Sequence, residues 1–303
     1  MAGMLPLGRE AIEKKGWWHA HKWLLLRRLS QLSILALFLL GPLAGIWIIT
    51  GNLSGSLLLD TIPMTDPLLF LQMLAAGFTG IATDAIIGAA IVLVFYILVG
   101  GRVFCSWVCP VNIVTDAAFW LRRKLGIKSG SRISRQARYW ILGVVLILSA
   151  VTGSLAYELV NPVSMLHRGL FFGMGLGWAL IAGVFLFDLF VANRGWCSHL
   201  CPMGAFYGLV GQLSPLKVRA DARSRCDDCN ECFVVCPEPQ IIPPVLKGEA
   251  TGVEPVIASG VCTNCGRCID VCAEEVFHFG WRYAGKLKPR TAGGASEASG
   301  AHI

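Results

Sequence analysis

Four long apolar runs punctuate the chain, separated by polar connections. They cover roughly 29–51 (LSQLSILALFLLGPLAGIWIITG), 82–100 (ATDAIIGAAIVLVFYILVG), 139–159 (YWILGVVLILSAVTGSLAYEL) and 170–192 (LFFGMGLGWALIAGVFLFDLFVA). Each approaches the about 20 residues that an α-helix needs to cross a bilayer. Pro42 predicts a kink in the first, which neighbouring helices accommodate in a membrane bundle. A fifth run, 67–78 (PLLFLQMLAAGF), is too short to span and is expected at the interface or packed on the bundle. The predicted organisation is a basic N-terminus (1–28), a four-helix membrane domain (29–215), a cysteine-rich domain (216–288) and a flexible tail (289–303).

Composition agrees with that pattern. Of 303 residues, 55% are hydrophobic and 15% charged, with a mean hydropathy of +0.62. This excludes a disordered chain and an ordinary soluble domain. The basic residues give the orientation. Six lie in 1–28, none in 52–81, eight in 101–138, only Arg168 in 160–169, and eleven from Arg194 onward. In a four-span chain, 25 of the 26 therefore fall on one side, which predicts a multi-pass membrane protein with both termini and the cysteine-rich domain in the cytoplasm. The net charge of +7 flanks the spans and forms no separate basic domain, so nucleic acid is not an expected partner. The first apolar run is much longer than a signal-peptide core and is expected to be retained as a helix.

The apolar region repeats itself. GRVFCSWVCP (101–110) resembles NRGWCSHLCP (193–202), and Asp66-Pro67 is echoed by Asn161-Pro162. The expectation is two two-helix units, each ending in Cys-x-x-x-Cys-Pro at the cytoplasmic face. On a helix, positions i and i+4 share a face, so Cys105/Cys109 and Cys197/Cys201 would each present two thiols. If the units pack about a pseudo-twofold axis, the four converge as an additional redox or metal centre of soft ligands; otherwise they are small buried packing residues.

The remaining eight cysteines define the chemistry. Residues 226–237 read CDDCNECFVVCP and 262–272 read CTNCGRCIDVC, both Cys-x-x-Cys-x-x-Cys-x-x-x-Cys. Three closely spaced thiolates hold three corners of a cubane iron–sulfur cluster, and the fourth cysteine, carried away by its turn, ligates the other cluster. Cys226, Cys229, Cys232 and Cys272 are thus predicted to hold one [4Fe–4S] cluster, and Cys262, Cys265, Cys268 and Cys236 the second, in a bacterial ferredoxin-like α+β domain. Pro237 follows the first run, whereas Ala273 stands at that place in the second. Structural zinc prefers two separated Cys-x-x-Cys pairs, and disulfides do not suit a reducing cytoplasm. No Cys-x-x-Cys-His occurs, which excludes covalent c-type haem.

With four spans, two Cys-x-x-x-Cys-Pro motifs and a C-terminal two-cluster module, the chain resembles the NapH/MauN ferredoxin-type family. The resemblance rests on EKKGWW (13–18), LLLDTIPMTDPL (57–68), FCSWVCP (104–110), NPVS (161–164), CFVVCPEP (232–239) and CGRCIDVC (265–272), and runs to about residue 288. It implies the membrane component of a quinol dehydrogenase, multi-pass in a bacterial inner membrane. With an iron–sulfur partner (NapG), such a component passes electrons towards periplasmic nitrate reductase, and the eight cysteines just named are its cluster ligands. The MauN side of the family suggests a rival role, electron supply or maturation for another periplasmic enzyme. A second rival is an iron–sulfur sensor or assembly protein without turnover.

Quinol oxidation needs an apolar slot and groups that accept protons, and ionisable residues in or beside spans are the natural candidates. Glu158, at the outer end of the third run, ranks first. His167, Arg168, Asp84 and Asp188 follow, with Asp188 also placed to pair with Arg194. Trp17, Trp18 and Trp23 are expected to anchor the interface.

Overall fold

The computed structural model describes residues 7–284 apart from 128, 129, 132, 174 and 176, so the tail 289–303 lies outside the described residues. A short helix α1 (Arg9–Lys15) leads into the long α2 (Trp17–Ala44). Three strands follow, β1 (Ile49–Gly51), β2 (Gly55–Leu58) and β3 (Ile62–Thr65), then α3 (Pro67–Ala75) and α4 (Thr83–Val99). A π-helical turn (Phe104–Val108) connects to α5 (Val111–Lys124) and α6 (Ala137–Thr152). Helices α7 (Pro162–Phe172) and α8 (Gly177–Leu186), a π turn continuing α8 (Phe187–Val191), another π turn (Trp196–Leu200) and α9 (Pro202–Val210) complete the helical part. The C-terminal module comprises β4 (Leu216–Arg219), α10 (Glu231–Val235), α11 (Pro243–Lys247), α12 (Arg267–Val271) and β5 (His278–Trp281).

The four apolar runs do not become four full-length helices. Among the described residues only α2, with 28 residues, is long and apolar enough to cross a membrane unaided. Helices α4 and α6, at about 1.5 Å per residue, reach only about 24–26 Å against a hydrocarbon core of about 30 Å. Glycines in the left-handed region make the difference. Gly45 (φ 70°) caps α2, and β-branched Ile49 and Thr50 then enter a strand. Gly153 (φ 62°) stops α6, and Gly173 (φ 82°) splits the fourth run into α7 and α8. These helices nevertheless show outward apolar stripes at helical spacing: Ile87, Ile91, Val94 and Leu98 on α4, and Trp140, Val144, Ile147 and Val151 on α6 are all exposed.

The sheet β1–β2–β3 is an antiparallel meander, with Thr50 opposite Leu57 and Ser56 opposite Met64. Its last strand lies directly on α4 because Gly88 has no side chain; a Cβ there would stand 2.9 Å from the Thr65 backbone nitrogen. The short apolar run 67–78 packs on the bundle as α3, burying Leu68 and Gln72. The Gln72 Oε1 accepts the Tyr157 N–H at 3.1 Å. The internal repeat is real in three dimensions. Asp66 and Asn161 each N-cap a Pro-initiated helix by accepting the N–H two residues on, at 3.3 and 3.0 Å. Each capped helix is followed by an apolar helix, a π turn that carries the first cysteine of the motif and ends at the second, and a further helix.

In the C-terminal module β4 and β5 pair antiparallel, Val218 opposite Phe279, over a core that includes Ile242, Val245, Ile257 and Val276. The module docks on the ends of α2, α4, α6 and α8 through two carboxylates, one buried and one half-buried. Glu238 accepts Arg102 Nη1 and Arg138 Nη1, both at 2.6 Å, and Arg135 Nε at 3.1 Å. Asp116 of α5 pairs with Arg28, with Arg267 of the module at 2.7 Å, with Arg194 at 3.5 Å and with Arg27 at 4.0 Å. Thus the basic N-terminal stretch is not a loose arm: Arg27 is buried, and Lys14 pairs with Glu274 of the module.

Burial opposes ionisation of Glu238, but the Arg102 and Arg138 guanidiniums outweigh it and hold its carboxyl below the ordinary range. Its contribution to stability is therefore complete above about pH 5 and is lost as pH falls through the folded value. Glu238→Gln would leave three guanidiniums without their anion. It is expected to destabilise docking by about 3–5 kcal/mol, read as a lower thermal midpoint in detergent and faster proteolytic release of the module; wild-type behaviour would show that the pairs are dispensable.

Candidate functional site

Each four-cysteine run winds through the same backbone. The residues on either side of the second cysteine are left-handed: Asp228 and Asn230 (φ 61° and 60°) in the first run, Asn264 and Gly266 (φ 45° and 71°) in the second. A five-residue helix then carries the third cysteine, and the fourth leaves it in extended conformation, Cys236 after α10 and Cys272 after α12. Ala273 in place of proline leaves this exit intact. The turns interleave the runs. Cys226, Cys229, Cys232 and Cys272 line one small cavity, and Cys236, Cys262, Cys265 and Cys268 line another. Among the described residues no three ligating side chains converge closely enough to share a single metal ion. Four thiols spread around one enclosed space fit a cluster better than a lone zinc.

The two cavities differ in setting. The first is bordered by Asp227 and Asp228, and its Cys229 is exposed. The second is buried against the helical part: Ser106 Oγ donates to Thr263 O at 2.7 Å, Trp107 Nε1 to Asn264 O at 3.0 Å, and Arg102 Nη1 to Val261 O at 2.9 Å. Burial raises the Cys265 thiol, but Arg267 and Arg27 outweigh it and pull it below its ordinary value. Nitrogen atoms of Arg27, Arg194 and Arg267 stand buried without hydrogen-bond partners beside this cavity.

The Cys-x-x-x-Cys-Pro motifs depart from the expected helix face. Both form π turns, with Cys109 N–H bonded to Phe104 O and Cys201 N–H to Trp196 O, each at 2.9 Å. The second cysteine of each pair has left the helix, and proline then introduces the next one. Cys109 and Cys201 share one apolar core with Tyr157, whose hydroxyl lies 3.9 Å from Cys201 Sγ. Burial first, and then the nearby Cys105 and Cys201, push the Cys109 thiol above its ordinary value. The two motifs, far apart in sequence, are therefore neighbours.

A cavity of about 780 Å³ runs between α2, the sheet and α4. Its walls are mostly apolar, Ile34, Phe38, Val92 and Phe95 among them. It meets Phe104 and Trp107 of the first π turn and Asn264 and Phe279 of the C-terminal module. Its carboxylate is Asp66, which accepts the Tyr207 hydroxyl at 2.9 Å. Sequence reading missed Asp66 as chemistry, taking Asp66-Pro67 only as a marker of the repeat; its lone acid next to an apolar run was the available signal.

The other named residues fall elsewhere. Glu158 does not line this cavity; it accepts Ser54 Oγ at 3.2 Å and Asn161 Nδ2 at 3.0 Å. Asp84 sits in the first turn of α4. His167 is buried between Phe38 and Phe171, and its neighbour Arg168 is exposed. Asp188 accepts the Trp196 N–H at 2.8 Å, while Arg194 turns to Asp116, so the expected Asp188–Arg194 pair does not form. Trp17 and Trp18 are exposed, but Trp23 is no interface anchor: it packs on Phe279 and Trp107 and covers Gly266.

Paired four-thiol runs on a ferredoxin scaffold define an iron–sulfur electron-transfer protein. Comparison with known proteins agrees. The family described as "4Fe-4S binding domain" matches residues 81–128 and 174–220, and "4Fe-4S dicluster domain" matches 225–276. "Ferredoxin-type protein NapH" of Haemophilus influenzae is 52% identical over 91% of this chain and 96% of its own. NapH of Escherichia coli K12 is 50% identical over 93% and 97%. "Methylamine utilization ferredoxin-type protein MauN" of Paracoccus denitrificans is 52% identical over 92% and 96%. The chain belongs to the NapH/MauN ferredoxin-type family. No solved structure matches it.

Gly266 tests the backbone reading. Its φ is positive, and a Cβ there would stand 2.5 Å from the Trp23 ring, so both backbone and neighbour demand glycine. Gly266→Ala is expected to cost at least about 1–2 kcal/mol in thermal unfolding, whereas Asn230→Gly at the exposed equivalent should change stability by less than about 0.5 kcal/mol. Equal effects would contradict the asymmetry.

Proposed function

We propose that this chain is a multi-pass membrane protein that takes electrons from quinol. It would hold two [4Fe–4S] clusters, one on Cys226, Cys229, Cys232 and Cys272, the other on Cys236, Cys262, Cys265 and Cys268. The observation that carries the reading is the interleaving of the two runs into two four-thiol cavities, the inner one pressed against the apolar helices. When bound, the clusters supply one-electron carriers at the end of the helical domain. The chain's own residues do the rest. The arginines around Asp116 and Glu238 fix the inner site against the helices, and Trp23, Trp107 and Phe279 shield it from water. Quinol oxidation releases two electrons and two protons. The electrons pass to an iron–sulfur partner of the NapG kind, and on towards a periplasmic nitrate reductase.

The match to MauN, as strong as that to NapH, favours a second reading in which the same electrons serve another periplasmic enzyme. In either case Cys105, Cys109, Cys197 and Cys201 act together as a further redox or metal unit. What supports this is the gathering of Cys105, Cys109 and Cys201 in one core, the electrostatic reach of Cys197 to all three, and the 4Fe–4S family match to both motifs.

The four-span topology is supported by the alternation of the helices. The N-terminal ends of α2 and α6 and the C-terminal ends of α4 and α8 meet the cysteine-rich module, and these are the basic ends. The α3 and α7 helices would then enter from the opposite face without crossing.

Anaerobic EPR of the purified protein should show two cluster signals that appear on addition of menadiol as well as dithionite. Cys236→Ala should remove the signal that depends on Cys262, Cys265 and Cys268 and spare the one that depends on Cys229. Reduction by dithionite alone would reject the quinol role, and loss of the Cys229-dependent signal would reject the ligand partition. A phosphatase reporter inserted near Ser56 should be active, and one fused after Lys288 inactive; the reverse pattern would invert the topology.

A further inference from the structure

We propose that the 780 Å³ cavity between α2, the sheet and α4 is the quinol site, and that Asp66 hydrogen-bonds the quinol ring and takes up its protons. The inference rests on the quinol reading above and locates it. Three features of the cavity bear on the occupant. Along α2 its lining runs from Trp23 to Phe38, about 22 Å at helical rise, which suits a ring with an isoprenoid tail better than a compact metabolite. Its walls are mostly apolar, and two of the α4 residues that line it, Ile91 and Phe95, are also exposed on the outer apolar face, so a lipid-soluble ligand can enter from the side. Finally, one cavity holds both a buried carboxylate and contact with the cysteine-rich module. Tyr207, which donates to Asp66, packs on Tyr96 at 5.0 Å between ring centroids. One turn further along α4, Val99 O accepts Asn264 Nδ2, and Asn264 lies between Cys262 and Cys265.

The internal repeat supplies the control. Asp66 and Asn161 occupy the same N-cap in the two units. Either residue type caps a helix, so the cap does not explain a carboxylate in the first unit. Asn161 meets Ser164 and Glu158 and does not line the cavity. Burying an acid costs free energy that an amide would avoid. The charge is placed where the cavity is, and an intramembrane carboxylate facing a cavity is a proton-handling group by default.

The reaction balances as follows. The two O–H bonds of the quinol break, and its two electrons would be taken up one each by the clusters that Cys226, Cys229, Cys232 and Cys272 and that Cys236, Cys262, Cys265 and Cys268 would hold. Its two protons pass in turn to the Asp66 carboxylate, which releases the first to solvent before accepting the second. The ring leaves as quinone.

The test uses Asp66→Asn, which copies the second repeat and keeps the cap, Asp66→Glu, which keeps the acid, and Val92→Phe, which fills the cavity. Rapid-mixing EPR follows cluster reduction by menadiol, and equilibrium dialysis in detergent follows menadione binding. Dithionite-reduced spectra confirm that clusters and fold are intact. Asp66→Asn is expected to slow menadiol reduction about 10²–10⁴-fold with menadione binding changed less than about threefold, Asp66→Glu to recover part of the rate, and Val92→Phe to weaken menadione binding at least tenfold. Menadiol reduction of Asp66→Asn at the wild-type rate would overturn the role of Asp66. Unchanged menadione binding in Val92→Phe would overturn the site. If menadiol fails to reduce the wild type, the quinol reading falls by itself. In that case menadione binding lost in Val92→Phe still supports the cavity as a quinone site, and binding absent from the wild type overturns it.

Discussion

Two carboxylates, the buried Glu238 and the half-buried Asp116, hold the molecule together. Seven guanidiniums converge on them: Arg102, Arg135 and Arg138 on the first, Arg27, Arg28, Arg194 and Arg267 on the second. Charges this deep are tolerated only when paired and hydrogen-bonded. The pairs cross between the helical part and the cysteine-rich module, so neither surface can be exposed without stranding a charge. Because guanidiniums outnumber carboxylates, positive charge remains, and it faces the inner four-thiol cavity. Thiolates and the cluster they would hold bring the negative charge that completes the balance. Docking and cofactor site are thus two parts of one electrostatic arrangement.

Around that arrangement the helical domain is built twice and used differently. Both repeats cap a short helix with an acid or amide followed by proline, and both end in a π turn that turns the second cysteine out of the helix. The π turn matters because it brings backbone carbonyls to the docking arginines; Arg102 reaches Cys197 O and Arg138 reaches Ser198 O. The first repeat alone carries the sheet and the large cavity. Duplication supplies a scaffold with twofold character, and two departures from symmetry, Asp66 against Asn161 and Trp107 against His199, put Asp66 and Trp107 in the lining of the cavity.

The apolar faces of α4 and α6 and the basic helix ends pull in one direction physically. Exposed Ile, Val, Leu and Trp side chains need an apolar surrounding, while the arginine-rich ends gather on the module side. Shorter helices suit this design. The sheet and α3 pack on α4, and α7 on α8; in the proposed four-span topology such short elements would need their backbone groups satisfied within the protein.

Much of this was legible in the sequence. The spacing of Cys226 to Cys236 and of Cys262 to Cys272 is local, and a ferredoxin turn needs only local left-handed residues and a short helix to form. The repeat and the apolar runs are likewise written in order along the chain, and so is the family. Helix length was not, because Gly45, Gly153 and Gly173 end helices inside runs that hydropathy averages as continuous. The first strand was hidden for the same reason, since Ile49–Gly51 lies inside the first run, and the other two lie in the connection that follows it. Long-range partners were beyond sequence altogether. Glu238 looks like one acid after a proline, Asp116 like one acid on an amphipathic helix, and Asp66 like a helix cap. Only packing brought the first to three arginines, the second to four, and the third to Tyr207 beside a cavity, since burial and proximity between residues a hundred positions apart are properties of the folded chain and not of any segment of it.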